Sequence, residues 1–563
     1  MTENKIWEIA PRKLDDIVDQ ILFNRKIVDL GVEDADKLRF FEPNFEKDLF
    51  DPFLMKNMKA ACERIKEAKE KGEKIGIFAD YDADGIPGAA LLYKTMRAIG
   101  IEAAVYIPNR EGGYGLSKEG IDYLVGLNCK LIITVDLGIR SLEEADYCKK
   151  IGIDLIITDH HLPGEDLPDA RILINPKQNG DKYPYKELCG CGVAYKLLQG
   201  LAHYFPESID EKFRKWTLDL VAISTVSDVV PLTGENRVLA KYGLIVVQKT
   251  KNLGLRALIE IAKIVPEEIG AYHLGFQIGP RINAPGRIDH ATKSFELLIT
   301  EDESEAKELA KWLDEKNTER QEAMDRTQKE AILQIEKNNL GQNKVIVVAG
   351  DWQKGVIGPS ASKLVEKYGR PIILFAKDKD CLVGSARSIS SVNIVELFEQ
   401  CEEYIKKFGG HKGAAGITVM EENFESFVKL LEREAGKIIK PIDLIPKVKI
   451  DAEVKLSELT KSLYEEIIHF EPFGMGNPRP VFMISNSKLN FGKFVGKNKD
   501  HLSAVVGENP HRFKIIHFYF PYEKEMIKST ETYDLAFTLS LDEWQGEKNL
   551  SLNIQDIRVS GKD

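Results

Sequence analysis

IGIFADYDADGIPGAALLYKTMRAIG (75–100) carries three signals in a row. The apolar run IGIFA reads as a buried strand, and GAALLYKTMRAIG spaces its apolar residues by three and four, as on one helix face. Between them stand Asp80, Asp82 and Asp84 on alternate positions. Moving outward, the strand-like runs AAVYI (103–107), LIITV (131–135), DLIIT (154–158) and RILIN (171–175) alternate with helix-like SKEGIDYLVGL and SLEEADYCKKIG. Nearly continuous apolar strands separated by helices predict a parallel sheet covered on both faces, an α/β fold. A second region of the same kind begins at NKVIVVAGDW (343–352) and runs through RPIILFA (370–376).

The chain has 563 residues, enough for three or four domains at roughly 150 residues each. Apolar residues at 43% can supply several cores, so disorder is not the default. Residues 301–339 are polar, lack proline and glycine, and carry Ala306, Leu309, Leu313, Ala331, Ile332 and Ile335 on one stripe, which predicts a long connecting helix. After Pro441, short strands such as KVKI, PVFMI, LSAVV, KIIHFYF, DLAFTLS and LSLNI predict a small β-barrel. The expected organisation is a helical extension (1–50), an α/β domain (51–300), a connecting helix (301–340), a second α/β domain (341–440) and a barrel (441–563).

Lysine plus arginine total 78 against 89 acids, a net charge of −11 that excludes holding nucleic acid by bulk charge but leaves room for a local basic track. The start, MTENKIWEIAPRK, has no apolar signal region, and no stretch reaches the roughly 18 apolar residues of a membrane span, so no membrane role and a cytoplasmic location are expected. Seven cysteines form no disulfide framework, and the pair Cys189 and Cys191 has no partner pair at zinc spacing.

The acidic loop is the feature with chemistry in it. Carboxylates on alternate residues repel unless cations neutralise them, and hard divalent metals favour oxygen ligands. An EF-hand fails, because Leu92 stands where the bidentate acid is needed. A bland acidic turn is the remaining alternative, and it weakens because acids recur at other strand ends. LIITV leads to Asp136, and DLIIT leads to Asp159, His160 and His161. Groups at the carboxyl ends of neighbouring parallel strands meet in one crevice. Asp228 in STVSDVVPL is placed to reach the same crevice. Carboxylates with imidazole suit Mn²⁺ or Mg²⁺, and two such ions would activate water and stabilise charge on a phosphoryl group.

The order DYDADG, TVDLGI, ITDHH, STVSDVVPL resembles that of the DHH phosphoesterases. Further matches are YIPNREGGYGLS (106–117), NPKQ (175–178), LCGCGVAYKL (188–197), GPRINAPGRI (279–288), GVIGPSAS (355–362), GSARS (384–388), FGGHKGAAGI (408–417) and EPFGMGNPRPVF (471–482). Together they resemble the RecJ-type exonucleases of that family, from about residue 40 to the C-terminus. The resemblance implies a DHH parallel-sheet domain and a DHHA1 α/β domain joined by a long helix, followed by an OB-fold barrel. It also implies a metal-dependent 5′→3′ exonuclease that degrades single-stranded DNA to mononucleotides in recombination and repair.

Carried over by position, Asp82, Asp84, Asp136, His160 and Asp228 match the metal ligands, with Asp136 bridging two Mn²⁺ or Mg²⁺ ions. Asp80, Asp159 and His161 match positions behind these ligands or against the scissile phosphate. Arg110, Ser385 and Arg387 match the groups that hold a terminal 5′ phosphate, and His411 in the glycine-rich loop FGGHKGAAGI matches a substrate contact. Arg281 and Arg287 are weaker candidates, with packing equally open for Asn283 and Gly286. Two positions depart from the pattern: Pro87 replaces a threonine, suiting the first helical position, and Gln353 replaces a histidine, which puts a role for that side chain in doubt.

In the expected barrel, Lys488, Lys493, Lys497, Lys499, Arg512 and Lys514 stand against Asp500 and Glu508, a local balance of +4, with Phe491 and Phe494 placed either to stack on bases or to fill the core. The expected partner is single-stranded DNA with a 5′ end, delivered by a single-stranded-DNA-binding protein or a helicase to a monomeric enzyme. Two other readings stay open. One is a phosphoesterase of the same family acting on small phosphates or short oligonucleotides, which would not need the barrel. The other is a non-catalytic DNA-binding scaffold, which would have lost metal acids, and none is missing.

Overall fold

The computed structural model describes residues 5–29, 34–108, 115–497, 499–521, 527–528, 530–544 and 547–561. Contacts divide the chain into two units. One comprises Pro43–Arg326 together with Pro472–Asn477, and the other comprises Met1–Glu42, Thr327–Glu471 and Pro478–Asp563.

In the first unit five strands form a wholly parallel sheet in the spatial order Ala103–Tyr106, Lys74–Ala79, Cys129–Val135, Asp154–Thr158, Ile172–Ile174. Alternate side chains feed two cores. Ile75, Ile77, Ala79, Ile133 and Val135 pack under helices Met58–Lys71, Gly85–Ala98 and Gly190–Tyr204, while Phe78, Ile132 and Ile157 pack under Lys118–Gly126 and Leu142–Lys150. The chain leaves the strand Lys74–Ala79 toward one edge, then returns to build Cys129–Val135 on its other side. Such a reversal opens a crevice at the carboxyl ends of those two strands, where ligands bind in open α/β sheets.

In the second unit, Ile346–Gly350, Ile372–Asp378, Cys381–Arg387, Ala414–Met420 and Lys407–His411 make a five-stranded sheet. It differs from the parallel sheet expected there, since only the first two strands pair parallel. The reason is loop length. Cys381–Arg387 follows Ile372–Asp378 after only Lys379 and Asp380, with Lys379 at φ +53°, which closes a hairpin and leaves no room for a crossover helix. The barrel strands Phe482–Val495, His501–Val506, Phe513–His517, Glu547–Val559 and Thr532–Trp544 close when the last pairs with the first.

The first fifty residues hold helices Ile17–Asn24 and Asp34–Phe41 and also a strand, Ile6–Ile9, which pairs parallel with Lys447–Ile450 and was not signalled by composition. The helix Glu303–Lys337 has 35 residues. Its Ala306, Ala310 and Leu313 join the core of the first unit, and Ala331 and Ile335 that of the second. No helix among the described residues is long and apolar enough to cross a membrane.

Candidate metal centre

The parallel ladder runs past the strands into the acids. Asp80 N–H donates to Val135 O (3.2 Å), Asp136 N–H to Thr158 O (3.0 Å) and Asp159 N–H to Ile174 O (3.1 Å). Three strand-end carboxyls are thereby fixed side by side by backbone. Asp136 holds a left-handed φ of +63°, uncommon for a non-glycine residue and characteristic of functional sites.

The acidic loop is tied down on both sides. Asp82 Oδ1 accepts from Asp84 N–H (2.8 Å) and Gly85 N–H (3.1 Å), and Ala83 N–H donates to Asn283 Oδ1 (2.7 Å). Asp84 accepts from Gly190 N–H (2.6 Å) and Cys191 N–H (2.8 Å), the exposed donors at the start of Gly190–Tyr204. Gly190 must be glycine here: a Cβ would lie 2.4 Å from Asp136 Cβ. The pair Cys189 and Cys191 is structural, Cys189 Sγ capping the helix by accepting from Gly192 N–H at 3.3 Å.

The imidazole of His160 enters this ring of acids. Its Nε2 lies 3.1 Å from Asp136 Oδ1, 3.6 Å from Asp228 Oδ2 and 3.8 Å from Asp84 Oδ2. Three ligand groups can be drawn: Asp136 with His160 and His161; Asp84 with His160 and Asp228; Asp80 with Asp82 and Asp136. Asp136 and His160 each belong to two, as suits residues between adjacent ions. Asp159 stands behind them. Its Oδ1 accepts from the backbone N–H of His160 (2.7 Å) and His161 (3.0 Å) and meets His161 Nδ1 at 2.8 Å, and its Oδ2 accepts from Ile139 N–H (2.9 Å).

Electrostatics sort these groups. Burial, then the charge of neighbouring acids, pushes the carboxyls of Asp80, Asp136 and Asp228 well above the ordinary range, and Asp84 up to about 6. Burial, then the charge of His161, pushes His160 down to about 3, leaving it a neutral imidazole. Burial opposes charge on both Asp159 and His161, but their mutual hydrogen bond prevails: Asp159 is lowered and His161 raised.

The donor set fits divalent cations. Asp136 Oδ1 and His160 Nε2 are buried without a hydrogen-bond partner, although buried polar atoms are normally bonded. Crowded carboxylates with one neutral imidazole are the ligands Mn²⁺ and Mg²⁺ accept. Asp228, with a quarter of its side chain exposed, and half-buried Asp82 and His161 mark the side open to substrate.

The remaining candidates are distributed as follows. Arg110 lies outside the described residues. Arg281 is engaged, its Nε donating to Asp314 Oδ1 (2.8 Å) and Nη1 to Gln277 O (2.8 Å). In the other unit, Arg387 Nη1 donates to Ser385 Oγ (2.9 Å), and both crowd Gly358 in the first turn of helix Lys354–Tyr368, where a Cβ would lie 2.9 Å from Arg387 Nη2. FGGHKGAAGI is a β-hairpin rather than a loop: Lys407–His411 pairs with Ala414–Met420 across Lys412 and Gly413. Gly410 has φ +150° and no room for a Cβ, so the glycines serve close backbone approach, and His411 sits exposed on the edge strand. Pro87 is third in helix Gly85–Ala98, not first, still within the turn that needs no N–H. Gln353 caps Lys354–Tyr368 without a side-chain bond.

On the barrel the Phe491 side chain lies outside the described residues, and Phe494 is half-buried against Phe520. Composition did not single out Phe518 and Tyr519, 52% and 75% exposed, whose rings pack on His501. Also unassigned from sequence were the Gly190 and Cys191 amides on Asp84, and Asn175, whose Nδ2 donates to His161 O at 2.9 Å. Their motifs, LCGCG and NPKQ, were visible, but nothing in them names a partner.

Three family models match: the DHH family N-terminal domain over residues 74–225, the DHHA1 domain over 342–437 and the RecJ OB domain over 450–556. The single-stranded-DNA-specific exonuclease RecJ of Bacillus subtilis is 36% identical, over 98% of this chain and 71% of its own. That of Salmonella typhimurium is 34% identical, over 88% and 89%. The crystal structure of RecJ from Thermus thermophilus in complex with Mn²⁺ superposes with a TM-score of 0.83 at 26% identity, covering 99% of this chain and 80% of that one. With all three domains in order and this level of identity across nearly the whole length, the chain belongs to the RecJ family.

Proposed function

We propose that this chain is a metal-dependent exonuclease that hydrolyses single-stranded DNA from its 5′ end, releasing mononucleotides, in DNA recombination and repair. The observation that carries the reading is the convergence of Asp82, Asp84, Asp136, His160 and Asp228 on one crevice with buried, unpartnered ligand atoms. These five residues would hold two Mn²⁺ or Mg²⁺ ions. When bound, such ions supply an ionised water near neutral pH and stabilise charge on the phosphoryl oxygens.

The protein's own groups do the rest. Asp159 orients His161 through Nδ1 and favours its protonated form, setting a cation beside the acids to hold a phosphate oxygen. Asp80 keeps the acidic loop in shape by accepting from Tyr81 N–H (2.8 Å). Arg387 with Ser385, and Arg110, would hold the terminal phosphate, and His411 would contact the strand. The lysines and exposed aromatics of the barrel would bind the single strand by charge and stacking. A single-stranded-DNA-binding protein or a helicase would deliver the end to a monomeric, cytoplasmic enzyme.

The test uses strands labelled at either end, with Mn²⁺ or EDTA and a blunt-duplex control. Label should leave a 5′-labelled strand at once and a 3′-labelled strand last. Release from the 3′ end alone, or equal attack on duplex, overturns the reading. Faster turnover of a dinucleotide than of a long strand would favour a small-phosphate phosphoesterase.

A further inference from the structure

The motif EPFGMGNPRPVF is not used by the chemistry above. Its flanks, ending at Glu471 and resuming at Pro478, belong to one unit by contacts, yet Pro472–Asn477 belongs to the unit that carries the metal centre. The segment lies on residues 231–233, directly after Asp228. Leu232 N–H donates to Met475 O at 2.7 Å. A Cβ on Gly474 would lie 2.7 Å from Leu232 Cδ1, and one on Gly476, at φ +72°, 3.0 Å from Pro231 Cβ. Both glycines therefore allow the segment to press onto this stretch. Asn477, fully buried, braces the turn from within, its Nδ2 donating to Pro472 O (2.8 Å).

What is held there is strained. Val229, the residue after Asp228, has φ +60°, an outlier for a β-branched residue. Its side chain is 57% exposed, so packing of that side chain does not impose the conformation. The backbone is pinned from both ends instead. Upstream, Asp228 N–H donates to Ser224 O (2.9 Å) and Val229 N–H to Val226 O (3.3 Å). Downstream, Pro231 O accepts from Tyr185 Oη (3.2 Å) and Asn236 Nδ2 (3.1 Å), and Leu232 is bonded to Met475. Such strain persists only where the surroundings over-determine it. Asp228, partly exposed at the end of its helix, depends on that fixed turn for its direction.

We infer that Pro472–Asn477 is a positioning strap for Asp228, setting the affinity of the metal centre by clamping the backbone at Pro231–Leu232. The inference rests on the metal-binding reading, and the experiment separates the two. Mn²⁺ binding to metal-free full-length enzyme is measured by titration calorimetry, alongside the Mn²⁺ dependence of hydrolysis and the melting temperature without metal. Gly476→Ala is expected to weaken Mn²⁺ binding about tenfold, the usual effect of disturbing a group behind a ligand, and excess Mn²⁺ should recover turnover. Gly474→Ala should do the same, and Gly474→Ala with Leu232→Ala, which removes the colliding atom, should recover part of the affinity. If Gly476→Ala does not fold, the Gly474 series decides. Unchanged Mn²⁺ affinity in folded Gly474→Ala or Gly476→Ala overturns the strap. Absence of Mn²⁺ binding to the wild type would instead overturn the metal-site reading.

Discussion

Asp136→Asn separates the stability of the metal centre from its chemistry. The Asp136 side chain is buried, and its carboxyl is raised well above the ordinary range by burial and then by Asp84 and Asp82. An acid whose folded pKa is raised destabilises the fold at any pH above its unfolded value, by about 1.4 kcal/mol per pK unit. The amide keeps the shape and carries no such cost. At pH 8 without metal, the variant should therefore melt at or above the wild-type temperature.

With Mn²⁺ at a hundredfold its dissociation constant, a binding site stabilises by about 2.7 kcal/mol. Spread over a unit of about 280 residues, whose unfolding entropy is about 0.6 kcal/mol/K, that shifts the wild-type melt by about 5 °C. Asp136 belongs to two of the three possible ligand groups, so the variant should lose most of this shift, and hydrolysis should fall by more than about a thousandfold. Thermal melts with Mn²⁺ and with EDTA, run beside a hydrolysis assay, read both quantities. A variant less stable than wild type without metal, or one that keeps the whole Mn²⁺-dependent shift, would refute the reasoning, and so would normal turnover.

Other expectations follow from named contacts. Gly190→Ala would drive a Cβ to 2.4 Å from Asp136 Cβ and displace the two amides on Asp84, so Mn²⁺ affinity should drop about tenfold or more by calorimetry. Lys196 and Glu235 form a wholly buried pair at 2.7 Å, with Tyr183 and Phe50 bonded to the same carboxylate. Lys196→Met strands that charge and should cost about 3–5 kcal/mol in urea denaturation, whereas adding Glu235→Gln should recover at least about 1 kcal/mol. Arg64 bonds Asp154 (2.6 Å) and Glu73 (2.7 Å). Burial would raise the Asp154 carboxyl, but hydrogen bonds from Arg64 and Arg171 hold it below the ordinary range, so its contribution is present at neutral pH and lost as pH falls through that lowered value. Arg64→Met should therefore be less stable than wild type by about 3 kcal/mol at pH 7, the gap narrowing toward about pH 3 in acid titrations of stability.

The second sheet shows where periodicity runs out. NKVIVVAGDW and RPIILFA carry the same apolar signature as the first five runs, because a strand buried on both faces reads alike in parallel and antiparallel neighbours. Strand direction depends on loop length and on the left-handed residue Lys379, which is a weak signal in a sequence. FGGHKGAAGI reads as a loop because its glycines outweigh its short strand propensities, yet backbone pairing with Cys381–Arg387 makes it a hairpin. Phe518 and Tyr519 sit in an apolar run that looks like core, and only the turn after Phe513–His517 turns them outward.

The sequence by itself determined the parallel α/β sheet, the long helix and the acids at strand ends. Those features are local: hydrophobic period, helix propensity and the residue that follows each strand are written in consecutive letters. Only the tertiary structure decided which groups hold the acids in place. The amides of Gly190 and Cys191 on Asp84, Asn283 on Ala83 and Met475 against the turn after Asp228 come from residues 106, 107, 200 and more than two hundred positions away. Backbone donors and acceptors are the same at every residue, so no pattern of side chains names their partners, and the packing of helix starts and loops against the sheet is what selects them.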